Sequence, residues 1–269
     1  TAAIDLSTSV NTIANLGAVT GTGGAFKFDN SGSALIVAGN MNVGSIDITT
    51  GNHALDFSFS TVNAGSFKAV SSSIALANSN MSIDSFDLSP ASASASVDLG
   101  GGSGPYVLTA GDLTKLSGRI GRIGLADSTG VMNINGVADF SGATIGLFAG
   151  SFAGNNNGFA VSAGELVLHV FNGAGSIGSA VLPIDVTTSK LTITTEGGDA
   201  YIRANGAMSL QSVVLAGGNF GVSSNSTLNL AGIIDANTLS LNNTAGATNF
   251  SSCGNNKIAH LGAINAAGQ

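Results

Sequence analysis

Charge is scarce in this chain. Of 269 residues only 8 are Lys or Arg and 15 are Asp or Glu, together 9%. Beside 43% hydrophobic residues, that scarcity excludes the disordered class, which is rich in charge and poor in apolar groups. Tryptophan is absent, and there are 3 prolines. A single cysteine, Cys253, excludes an intrachain disulfide and a thiolate metal cluster. A small packing filler is the expectation for it, with an intermolecular bridge as the alternative. No apolar run approaches the ~20 residues of a membrane-spanning helix, so no membrane span is expected. Glycine, at 39 residues, does not recur at every third place, which excludes collagen. The basic residues are dispersed. Arg119 and Arg122 are the closest pair, and two arginines are no footprint for nucleic acid. The net charge of −7 favours solubility. The chain opens at Thr1 with neither methionine nor a charged-then-apolar leader. The expectation is a removed signal peptide or a piece of something longer.

What the chain does have is a period. Leu191-Thr-Ile193, Ala200-Tyr-Ile202 and Met208-Ser-Leu210 are apolar–x–apolar triplets, the alternation of a strand. Gly, Asn, Ser and Thr separate them, as turns require. The triplets return at nearly fixed offsets: Ile202, Val222 and Leu241 align, as do Leu210 and Leu230, and the doublet Val213-Val214 falls on Ile233-Ile234. The first third repeats the pattern independently, with Ile46, Phe67 and Phe86 in one set, Leu55, Ile74 and Ala95 in another, and Val62 and Met81 in a third. Ile123 and Ile145 continue it less regularly, with Met132 and Ile134 between them.

A helix cannot use short period-two segments, and glycine in a helix interior costs about 1 kcal/mol each. A solenoid can. The fold expected is all-β: a right-handed parallel β-helix with three short strands per coil and 19–21 residues per coil, occupying 1–269 as a single domain. Roughly 12 coils at ~4.8 Å per rung would span about 60 Å. Ile46, Phe67, Phe86, Ile202, Val222, Leu241, Leu210 and Leu230 are the expected core ladder. Outside, Asp47, Lys68 and Asp87 would stack as a minus–plus–minus column, each contact giving only ~0–1 kcal/mol. Loop bulges are expected near 100–105 and 153–158.

The stretch Gly173–Gly218 resembles the repeat regions of large secreted bacterial exoproteins of the filamentous-haemagglutinin type. The resemblance rests on a G-S-I-G element at Gly175–Gly178, a P-I-x-V strand at Pro183–Val186, a G-G-D-A-Y-I strand at Gly197–Ile202 and an A-x-x-L-x-S-V strand at Ala207–Val213, and it continues to Asn243. It implies a right-handed β-helix outside the cell, in adhesion, aggregation or fibre building. The Asn-Pro-Asn signatures of that family's secretion domain do not occur here, so the resemblance implies either the shaft or a separate protein that shares the shaft's fold.

Enzymes also use β-helices, so the acids and histidines need weighing. Glycoside hydrolysis needs two carboxyl groups about 5–9.5 Å apart, and the acidic residues here are scattered. Asp84 and Asp87 are the best pair, read as a solvated edge. Glu165 and His169 share the outward face of one strand with Val167, and surface decoration is expected of them. His53 has only Asp56 nearby, and His260 has no acidic neighbour. The glycine-rich Gly21–Phe26 and Gly100–Pro105 lack a following Gly-Lys-Ser/Thr, and no helix is read after either. Four glycosylation sequons begin at Asn80, Asn225, Asn242 and Asn249, a number of little weight in so Asn-rich a chain. No cofactor or metal is expected.

The leading expectation is a secreted, non-enzymatic structural or adhesive protein of the bacterial cell surface that associates with copies of itself head to tail, or forms part of a longer rod. Exposed strand edges at solenoid ends template pairing. Ile4, Leu6, Val10 and Ile13 at one end, and Ile258, Leu261 and Ile264 at the other, are the expected contact residues. The alternatives are a carbohydrate-binding adhesin segment, using a lateral wall or the 100–105 bulge on cell-surface or matrix polysaccharide, and a polysaccharide lyase or hydrolase. Against the adhesin, few aromatics are expected to face out, Tyr106 and Tyr201 being the two tyrosines.

Overall fold

A computed structural model describes residues 3–154, 158–250 and 254–266. The chain winds into a β-solenoid of about 12 turns, about 21 residues per coil, with 3% helix. Equivalent strands pair in parallel from coil to coil. In the early coils two of the three faces run together as one bent strand, seen in Met41–Thr49, Thr61–Ser71 and Asn80–Pro90. The third face is a separate short strand: Leu35–Val37, Ala54–Asp56 and Ser73–Ala75. The expected three short strands merge in this way because the corner residues Ser45, Ser66 and Ser85 keep their rung partners through the bend. At that corner a Cβ on Gly44 would stand 2.6 Å from the Gly23 carbonyl oxygen, so the backbones approach too closely for any other residue.

Alternation decides what is inside. Ile46, Phe67 and Phe86 fall on successive rungs, as do Ile202, Val222 and Leu241, and Leu210 sits over Leu230. All eight are 4% exposed or less. The Phe67 ring meets Phe57 from the facing wall edge to face, with centroids 5.1 Å apart.

The turns explain why serine, threonine and asparagine stand where charge could. Several residues at the turns are buried, and each donates to a nearby carbonyl: Thr50 Oγ1 to His53 at 2.8 Å, Ser79 Oγ to Leu76 at 2.7 Å, Thr195 Oγ1 to Gly198 at 2.7 Å and Asn243 Nδ2 to Gly246 at 3.1 Å. A small neutral group meets that need without the desolvation cost of an ion.

The regular winding is interrupted between Phe86 and its next rung partner, Gly121. Between Gly100, which ends one strand, and Tyr106, which begins the next, 101–105 form one part of a larger insertion. Strand Val97–Gly100 pairs with Tyr106–Thr109, which lies between it and the wall of the preceding coils. The expected stacking of Ala95 and Val97 directly on Ile74 and Leu76 is therefore displaced: Tyr106 and Leu108 are interposed. A helix, Ala110–Leu116, follows the glycine-rich loop where none was expected. It fills a missing rung, burying Leu113 and Leu116. Thr109 and Asp112 form its capping box, and Asp112 Oδ1 also accepts the Leu76 backbone N–H at 2.5 Å. Arg119 seals the strand edge left open, donating to the Met81 carbonyl at 2.7 Å and the Ile83 carbonyl at 2.9 Å. Beyond the insertion, Ile123 pairs with Leu147 and Gly121 with Ile145, a two-residue correction to the expected alignment of Ile123 with Ile145. At Gly121 the core is filled by Phe86 from the rung before, whose ring would lie 2.3 Å from an added Cβ. Of the bulge near 153–158, residues 155–157 lie outside the described residues, as does Cys253.

Candidate functional site

Four surfaces carry the polar and exposed apolar chemistry. The first is the charge column. Asp47, Lys68 and Asp87 occupy one register, and the column is longer than three. Asp5 pairs with Lys27, Lys27 with Asp47, and Asp87 with Arg122, giving six rungs of alternating sign. Lys68 Nζ lies 3.4 Å from Asp47. Asp87 is gripped by Arg122 through Nε at 3.1 Å and Nη2 at 2.7 Å. Farther along, Lys190 reaches Glu165 at 3.9 Å, Arg203 holds Asp185 through two nitrogens, and Lys257 lies 3.6 Å from Asp235. In all five ion pairs among the described residues the acid is on the earlier rung and the base on the next.

These pairings also locate the residues weighed for catalysis. Asp87 and Glu165 are each engaged by a cation. Asp84 lies at a corner beside Gly65. His53 is exposed, and its carbonyl closes a turn. His260 is exposed on the last described strand. Among the described residues no group of three or more His, Cys, Asp or Glu side chains could hold a metal, and no helix is long and apolar enough to cross a membrane.

The second surface is aromatic, which the low aromatic content did not announce. His169 stacks on Phe171 with centroids 4.0 Å apart, and Phe148 sits 5.9 Å from each. The Arg122 guanidinium lies 5.4 Å from the Phe148 centroid. His169 does face outward with Glu165 and Val167, all three partly exposed. Burial holds its pKa below the usual imidazole value, against a smaller opposing pull from Glu196. Of the tyrosines, Tyr106 is buried in the core, where desolvation raises its phenol; its hydroxyl faces that of buried Ser71, without a hydrogen bond of ordinary geometry. Tyr201 is partly exposed on the outer wall.

The third surface is a shallow groove of about 360 Å³ running along the wall from Tyr201. Gly221 and Ser240 continue its floor on the next rungs, and Ser223, Asn242 and Asn265 form a parallel row.

The fourth is the pair of end rungs. Leu6 pairs with Phe28, yet is 46% exposed. Leu261 pairs with Leu239 and Ile264 with Leu241, whose side chains are buried, yet Leu261 is 72% and Ile264 46% exposed. Val10 and Ile13 are 62% and 40% exposed, whereas Ile4 and Ile258 are partly buried against the core. Core-ladder positions thus stand uncovered on the first and last described rungs. No family model, no curated protein and no solved structure matches this chain.

Proposed function

We propose that this chain is a non-enzymatic building block of an extracellular rod at a bacterial surface, joined head to tail with further copies of itself through its end rungs. The observation that carries the reading is the exposure of Leu261 and Ile264 at positions whose rung partners are sealed in the core. An uncovered rung offers both an apolar strip and a free strand edge, the surface that another parallel rung fits. Charge favours one polarity. The first described rung carries Asp5 and the last carries Lys257, on the same face when the register is followed through the coils. Head-to-tail joining brings opposite signs together, whereas head-to-head or tail-to-tail joining opposes like charges. Such a contact is heterologous and does not close, so it propagates into a filament.

The engagement of Asp87 and Glu165 by cations supports a non-catalytic wall. The resemblance of 173–243 to shafts of the filamentous-haemagglutinin type supports the place outside the cell. Sedimentation velocity over a concentration series, with negative-stain electron microscopy, tests the reading. Rods of one width and growing length are expected. A single monomeric species at every concentration overturns it.

A further inference from the structure

We infer that the groove beginning at Tyr201 is a binding site for an extended, uncharged oligosaccharide. Its floor holds one small residue per rung: after Tyr201 come Gly221, Ser240 and Ala263. Three rung steps of about 4.8 Å give a track of roughly 14 Å, the length of a short sugar chain laid along the axis. Gly221 lets the aromatic ring lie down on the wall, since a Cβ there would stand 2.6 Å from Tyr201 Cδ1. A ring laid along a groove is a platform for the C–H face of a pyranose. Ala180 and Pro183, from the loop at 178–183 on the rung before Tyr201, line the end where the groove begins, and Val181 in that loop is 85% exposed.

The polar side of the groove has unused hydrogen-bonding capacity. Elsewhere stacked asparagines bond to each other across rungs: Asn63 to Asn42 at 3.2 Å, Asn237 to Asn219 at 3.1 Å and Asn249 to Asn229 at 2.7 Å. Asn242 and Asn265 are also rung partners, but among the described residues neither side-chain amide donates or accepts a hydrogen bond. Each amide offers two donors and an acceptor, which suits the paired hydroxyls of a sugar ring. Charge selects against acidic glycans. No ionisable group other than the Tyr201 phenol lines the groove, burial and nearby Asp199 keep that phenol protonated, and Arg203, the rung partner of Ser223, is held by Asp185. A concave site with one apolar platform and a few convergent polar groups has the general form of a small-ligand site. The inference does not depend on end-to-end assembly: a monomer that binds sugar would refute the rod and leave the groove standing.

The test is titration of the whole chain, by calorimetry and by NMR, with neutral hexasaccharides of β-1,4-glucan, xylan, chitin and α-1,4-glucan, alongside sulfated and uronic-acid oligosaccharides. Saturable binding of at least one neutral series is expected. Tyr201→Ala should weaken it by at least about tenfold, and Tyr201→Phe by no more than about threefold. The double variant Asn242→Ala/Asn265→Ala, at exposed positions that do not endanger folding, should weaken it by about tenfold as well. Three results overturn the inference: no saturable binding at millimolar sugar, tighter binding of charged than of neutral chains, or affinity unmoved by the double asparagine variant.

Discussion

Leu261 is the most direct handle on assembly. Its rung partner Leu239 is 1% exposed, whereas Leu261 itself is 72% exposed. Full burial of a leucine side chain is worth about 1.5–3 kcal/mol. A rung stacked over Leu261 can recover about seven-tenths of that, or about 1.1–2.2 kcal/mol. At about 1.4 kcal/mol per factor of ten, its loss alone raises the concentration needed for assembly by about 6- to 40-fold. Leu261→Asp does more than remove the gain. It sets a carboxylate, too short to reach back to water, against an incoming apolar rung. The expected shift is therefore at least about tenfold in the critical concentration measured by pelleting and sedimentation velocity. Because Leu261 is mostly exposed in the single chain, the melting temperature should hardly move. Val181→Asp, at an 85% exposed position on the lateral loop, is the matched control and should leave assembly unchanged. Assembly of Leu261→Asp at the wild-type concentration, or an equal effect of Val181→Asp, refutes the end-rung contact.

Three further outcomes follow from the interior. Phe67→Ala removes a 1% exposed ring and its edge-to-face contact with Phe57; a loss of about 3–5 kcal/mol is expected. Since coils touch only their neighbours, hydrogen exchange should accelerate most in the rungs of Ile46 and Phe86, and uniform acceleration along the solenoid would contradict the local ladder. Tyr106→Phe removes a buried hydroxyl that faces Ser71 without a hydrogen bond of ordinary geometry, so it should leave stability unchanged or raise it by up to about 1 kcal/mol in denaturant melts, and a loss would show that the two hydroxyls are bonded. His169, its pKa held down mainly by burial, binds fewer protons folded than unfolded. Stability should therefore fall as the pH drops from the unfolded value near 6.5 toward the lower folded one. His169→Phe should flatten that slope in melting temperature against pH, and an unchanged slope would assign it elsewhere.

Where the alternation is undisturbed, the ladder can be read from the letters. Ile46, Phe67 and Phe86 recur because each rung needs an aliphatic or aromatic side chain at the same place, with a neutral or paired residue between. The insertion defeats that reading for a specific reason. Tyr106-Val-Leu108 has the same apolar–x–apolar form as Val97-Asp-Leu99, and both form rungs of one wall. A count of offsets assigns the nearer-spaced triplet to the next rung and cannot see the chain turning back to place the later one first. The helix did leave a signal. Thr109 three residues before Asp112 is a capping box, and Leu113 and Leu116 have helical spacing, but both lie in a stretch otherwise read for period two.

The outer surfaces were legible only as far as their register was. Asp47, Lys68 and Asp87 declare themselves because their spacing follows the coil. Arg122 is hidden from the same column by the 35 residues that separate it from Asp87. Once joined, Asp5, Lys27, Asp47, Lys68, Asp87 and Arg122 suggest a purpose that pairwise energies of ~0–1 kcal/mol would not. One aliphatic rung fits over another almost interchangeably, so the core alone discriminates poorly against a chain that winds one coil out of step. Looping out one coil keeps the stacked apolar side chains inside, yet where the flanking coils then meet it sets acid on acid or base on base. With the sign alternating at each of five successive contacts, a skipped coil is penalised wherever it falls, a register device that a uniform hydrophobic ladder cannot supply.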